Sequence, residues 1–168
     1  MDYVDAGATL GGNGKYRYLL WREWETNGVM VFSSPCVFIM LNPSTADGET
    51  DDPTIRKCVG FARMWRYEKL VVVNLFGARA TKPAELIGMD DPVGSHNSHY
   101  IREALSVANK VVCAWGAGGS LLEQDKAVMR LLDEVGVQPY ALGLTNNGSP
   151  RHPLYVKYGK PIKFDTPL

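Results

Sequence analysis

Four stretches of this chain are apolar almost without interruption: Cys36–Leu41 (CVFIML), Lys69–Phe76 (KLVVVNLF), Lys110–Trp115 (KVVCAW) and Gln138–Thr145 (QPYALGLT). Runs of this length with little polar alternation predict strands buried on both faces. Between them the apolar positions return at helical spacing, over Pro53–Tyr67, Pro92–Asn109 and Leu121–Gly136, with a loop and short helix over Ala78–Gly88. Asp52 before Pro53 predicts an N-cap with proline in the first turn, and Gly136 predicts a helix end. Lys15–Trp24 and Gly28–Ser34 are rich in aromatic and branched residues. The Asn27-Gly28 turn signal between them predicts a hairpin at a sheet edge. Strands alternating with helices give an α/β fold class: three α/β/α layers with a four-stranded parallel sheet, plus an N-terminal β-hairpin. Residues 1–14 hold four glycines and little apolar pattern, and are expected to be loosely ordered. Residues 15–168 form a single domain, closed by a short basic tail, KYGKPIKFDTPL.

Composition narrows the possible functions. The 168 residues carry 18 basic and 18 acidic side chains, so the chain has no overall attraction to nucleic acid; such binding needs a local patch. Three widely spaced cysteines, each in an apolar setting, read as buried reduced thiols of a cytoplasmic protein, with neither a disulfide frame nor a metal site. There is no signal-peptide pattern and no apolar run long enough for a membrane span. No cofactor is expected.

Parallel strands bring their carboxyl ends to one rim, where open α/β sheets bind ligands. The segments that follow the four strands should therefore converge, and they supply Asn42, Pro43, Ser44, Asn74, Arg79, Trp115, Gly116, Arg151, His152 and Tyr155. Amides such as Asn42 and Asn74 suit the edge of a nucleobase, and Arg79 and Arg151 suit phosphate. His152 suits a developing anion. Asn42 alone reads equally well as the cap of a strand and turn. Asn74 inside an apolar run is harder to assign to structure, because a buried amide needs partners. The acidic loop Asp47–Asp52 reads as solvated, with a water-activating carboxylate as the minority reading. GAGGS (Gly116–Ser120) lacks the features of a phosphate loop, and His96 with His99 reads as a solvated helix face.

The motifs LNPSTADGETDDPTIRKC, VVNLFGARATKP, DPVGSHN, AWGAGG and GSPRHPLY resemble a bacterial and phage family catalogued as domain-of-unknown-function number 1643. Their order also distantly resembles the uracil-DNA glycosylase superfamily, an α/β/α fold with a four-stranded parallel sheet. That resemblance implies that Asn42 of MLNPS positions water, Asn74 of VVNLF reads a pyrimidine edge, and His152 of RHPLY sits in the last active-site motif. Ser44 stands where the glycosylases have Gly or Tyr, and HPLY lacks the Ser-Pro that follows their His-Pro.

The resulting expectation is a nucleobase- or nucleotide-recognising protein that hydrolyses an N-glycosidic bond. Asn42, His152, Asp47 and Asp51 are its candidate catalytic residues, with Asp52 as the helix cap lying farther from the pocket. Asn74, Ser44, Pro43, Arg79, Trp115, Gly116, Arg151 and Tyr155 are its candidate binding residues. The expected partners are a nucleotide, a nucleobase, or single-stranded or duplex DNA. A non-catalytic binder of a nucleotide or modified base is the alternative.

Overall fold

The computed structural model describes residues 2–165. In chain order its elements are β1 (Asp5–Gly11), β2 (Tyr16–Glu23), β3 (Cys36–Met40), α1 (Pro53–Met64) and β4 (Lys69–Asn74). They continue with α2 (Asn97–Val107), β5 (Lys110–Cys113), α3 (Gln124–Glu134), β6 (Pro139–Ala141) and β7 (Ile162–Lys163). All seven strands form one sheet in the order β1-β2-β4-β3-β5-β6-β7. β3 pairs in parallel with β4 and with β5, and β5 with β6. The outer pairings, β1 with β2, β2 with β4 and β6 with β7, are antiparallel. The sheet thus has seven strands where the apolar runs predicted four and a hairpin.

Period-two alternation divides the core. Phe38, Met40, Leu70 and Val72 pack on Ile55, Cys58, Val59, Phe61 and Ala62 of α1. Val37, Ile39, Val71 and Val73 face the other way, onto Ile101, Leu105, Val128 and Leu132 of α2 and α3. Helices therefore cover both faces, as unbroken apolar strands require. The three cysteines are free and fully buried, and burial pushes their thiols up. Among the described residues no helix is long and apolar enough to cross a membrane.

The N-terminal expectation is corrected. β2 does pair in a hairpin, but with β1, which lies inside the segment expected to be loose. The glycines that suggested looseness make room for aromatic rings. A Cβ at Gly7 would sit 2.2 Å from Cζ2 of Trp21, and one at Gly11 would sit 2.6 Å from Cε2 of Tyr18. Residues 28–34 form no strand pair, because β1 and β4 occupy both edges of β2; Val29 and Met30 are exposed, and Phe32 makes a single bridge to Tyr67.

Other boundaries moved for local reasons. α2 begins at Asn97 because the Asp91 carboxylate accepts from the Gly94 N–H in a turn that sets Gly94 at φ 86°. α3 begins at Gln124, after Leu122 and Glu123 adopt φ 51° and 55°. The basic tail supplies β7, a short edge strand beside β6; its residues 166–168 lie outside the described residues.

The register of β2 carries one irregularity. β1 pairs Thr9 with Leu19 but Leu10 with Arg17, so Tyr18 is an extra residue on β2. A bulge of this kind re-aims the side chains beyond it. Tyr18 stacks on Tyr100 of α2, whereas Arg17 and Leu20 both face the α1 layer.

Candidate functional site

At the carboxyl ends of β3, β4 and β5 lies a cavity of about 410 Å³, within the range of small-molecule sites. Each wall comes from a different segment. The end of β3 leads into Asn42 and Ser44, β4 ends on Asn74, and β5 leads into Trp115 and Gly116. The loop after β6 brings His152 and Tyr155, the start of α1 brings Asp52 and Thr54, and β2 brings Arg17.

Asn74 is the anomaly of the site. It is 1% exposed, and neither its Oδ1 nor its Nδ2 has a hydrogen-bond partner. It shares the α1-facing side of β4 with Leu70 and Val72, so alternation aims it at the cavity. A buried amide left unpaired costs about 1–3 kcal/mol, and most native proteins avoid it.

Asn42 is held differently. Its Nδ2 donates to the carbonyls of Pro43 at 2.9 Å and Ala80 at 2.8 Å. Two acceptors demand the NH₂ end of the amide, which leaves Oδ1 as an acceptor for a ligand or water. Pro43 is buried and serves through its carbonyl, which also accepts from the Ala80 N–H at 2.9 Å.

His152 opens a short 3₁₀ turn over Pro153–Tyr155, and its Nδ1 accepts from the Leu154 N–H at 3.3 Å. The neutral ring then carries its proton on Nε2, as a donor. Burial lowers the His152 pKa from 6.5, against an opposing pull from the Asp52 charge. Gly116 sits at φ 74° and its N–H donates to the Pro150 carbonyl at 2.8 Å, which ties the β5 loop to the His152 loop. Trp115 is buried in the wall, while Tyr155 is exposed with its ring 5.7 Å from that of His152.

Among the acids of the loop before α1, Asp52 lines the cavity and Asp47 and Asp51 do not. This reverses the expected order. The Asp47 carboxylate closes a turn by accepting from the Glu49 and Thr50 N–H groups, which lower its pKa. Asp51 pairs with the buried Arg22 at 2.8 Å and accepts from the Tyr3 hydroxyl. Asp52 caps α1, accepting from the Ile55 N–H at 2.9 Å, and so stands where the helix opens onto the cavity.

The arginines also differ from expectation. Arg79 donates to the Ser44 carbonyl and Arg151 to the Leu144 carbonyl, so both brace loops and neither lines the cavity. Arg17 lines it instead. Its one signal in the sequence was a charged residue between the aromatic rings of Tyr16 and Tyr18. Its direction depends on the bulge at Tyr18, which the sequence does not announce.

A larger groove of about 770 Å³ shares Trp115 but is walled by charged residues of α3, including Asp125, Lys126, Arg130 and Asp133. None of its lining side chains is a buried polar group lacking a partner. The smaller cavity is therefore the better candidate.

Fold and cavity together define an α/β protein with a polar, incompletely satisfied pocket at the carboxyl rim of its parallel strands. The chain belongs to the family described as Protein of unknown function (DUF1643), whose family model matches residues 17–154. No match was found among curated proteins or among solved structures.

Proposed function

We propose that this cavity holds a nucleobase or nucleotide by the edge of its base, as proteins of uracil-DNA glycosylase-like type do. The observation that carries the reading is Asn74, a residue of the cavity lining whose amide NH₂ and carbonyl oxygen both lack a partner. A base edge presents that pair of functions in the complementary sense. Its binding would give both ends of the amide a partner, at the place where an α/β sheet holds its ligands.

The chemistry these groups support is hydrolysis of an N-glycosidic bond. Asn42 Oδ1 orients a water, whose oxygen bonds to the sugar carbon as the carbon–nitrogen bond breaks. The electron pair leaves with the base, and the neutral His152 donates from Nε2 to the anion that forms. The water's proton passes to Asp52, the one carboxylate among the described residues that line the cavity. A base in a duplex must first leave the stack.

A second reading, binding without turnover, is favoured by Asn42 being an amide, which takes no proton at neutral pH. Equilibrium binding and base release, measured with nucleobases, nucleotides, single strands and duplexes, separate the two. Asn74→Leu should weaken binding about tenfold or more while leaving folding stability unchanged or improved, because the orphaned amide is gone. His152→Ala should slow any base release on the order of 100-fold and disturb ground-state binding much less. Binding without release selects the second reading. Failure of every base, nucleotide and oligonucleotide to bind removes both.

A further inference from the structure

Two arginines of β2 are buried on the α1 side of the sheet, and they differ in one respect. Arg22 is fully satisfied: Nε donates to Asp51 at 2.8 Å, Nη1 to the Trp21 carbonyl at 2.8 Å, and Nη2 to the Asp47 carbonyl at 2.7 Å. It clamps the acidic loop and lines no part of the cavity. Arg17 is 2% exposed and gives Nη1 to the Ala46 carbonyl at 2.7 Å, yet its Nε has no partner. A purely structural arginine would not leave a buried charged donor unmade.

The position of Arg17 follows from the register. Leu20 lies opposite Val72, and beyond the bulge the Arg17 N–H donates to the Gly77 carbonyl at 3.0 Å. Arg17 thus runs alongside the end of β4, on the face that carries Asn74. Arg17 and Asn74 both line the cavity, and between them they leave three buried polar atoms without partners: the amide nitrogen and oxygen of Asn74, and Nε of Arg17.

Asn74 cannot by itself choose between bases. Its amide can turn over, and the turned amide suits an amino-bearing edge as well as an oxo-bearing one. A guanidinium cannot turn into an acceptor, because all its hydrogen-bonding atoms are donors. Charge settles which acceptor it meets. Arg17 and Asp52 are the charged residues of the lining once His152 is neutral, and they balance. A phosphate would face the Asp52 carboxylate, whereas the neutral oxo oxygen of a base completes the Arg17 Nε bond without that repulsion.

We propose that Arg17 is the specificity-determining residue of this cavity: it requires an oxo group beside the ring edge that Asn74 reads, and it rejects the corresponding amino group. This rests on the nucleobase reading of the site and adds the class of base, oxo-bearing heterocycles. An amino group there would set donor against donor and leave a buried charge unpaired, the kind of mismatch that discriminates far more strongly than lost apolar contact.

The test compares uracil with 2,4-diaminopyrimidine, in which both oxo groups become amino groups whichever way the ring docks. Binding is measured by calorimetry in a mildly alkaline buffer that keeps the diamine neutral. The native protein should prefer uracil by at least about tenfold. Arg17→Lys, still a donor without acceptor, should keep the preference. Arg17→Gln, whose amide can turn, should reduce it to within about threefold and gain affinity for the diamine. Equal binding of the two rings by the native protein overturns the assignment while leaving the nucleobase reading intact, as does a preference that survives in a folded Arg17→Gln. Should that variant not fold, the native and Arg17→Lys comparisons decide. Absence of binding by any base, nucleotide or oligonucleotide fails the parent reading, and this one with it.

Discussion

His152 shows how a single side chain is set by its surroundings. Its ring lies half-buried at the cavity wall, and the Leu154 N–H occupies Nδ1. Protonation would charge a desolvated ring and put a hydrogen where that N–H already points. Its folded pKa therefore lies below 6.5. The folded state then binds this proton less readily than the unfolded chain does, so stability from His152 is complete above pH 6.5 and is lost as pH falls through the lowered value. Melting temperatures measured from pH 7.5 downward should fall more steeply for the native protein than for His152→Asn. Parallel profiles would show that His152 titrates as it does in the unfolded chain. Asn42, Asn74 and His152 were all legible as candidates, because each stands at the end of a strand or in the loop after one. Arg17 was not, since nothing in its neighbours marks the bulge that turns it inward.

At the scale of elements, the start of α1 joins stability to the site. Asp52 was legible as a cap from its place before Pro53, and it does accept from the Ile55 N–H. That the same carboxylate lines the cavity follows from where the helix axis points, which only packing of Ile55, Cys58 and Phe61 on the sheet decides. Asp52→Ala should cost about 1 kcal/mol in urea unfolding. Asp52→Asn keeps a good cap and should restore most of that stability. It removes the charge that offsets Arg17, so its ligand binding should stay altered. If the asparagine variant is as unstable as the alanine one, capping is not what Asp52 supplies.

For the whole molecule, charge is the governing quantity. Eighteen basic and eighteen acidic residues leave no net field to draw in a polyanion, and the arginines expected at the rim are committed to loop carbonyls. Affinity for an oligonucleotide should then come from the cavity and not from neutralised phosphates. The dependence of log K on log salt should be shallow, with a slope no steeper than about −2. A slope near that of a dedicated duplex binder would place the interaction on a basic face outside the cavity.

What the amino-acid sequence determined by itself was everything that depends on neighbours along the chain. The apolar runs marked the central strands, the Asp52-Pro53 and Gly136 signals marked helix ends, and strand-end placement collected the rim residues. The tertiary structure decided what depends on distant partners. It chose β1 over residues 28–34 to pair with β2, because Gly7 and Gly11 leave space for Trp21 and Tyr18. It also decided which polar groups are satisfied. Arg22 and Arg17 are the same residue type on the same strand face, yet one is fully paired and the other is not. Hydrogen-bond satisfaction is a property of several segments meeting in space, so no reading along one of them could have found the three unpaired atoms, Arg17 Nε and both ends of the Asn74 amide, at this cavity.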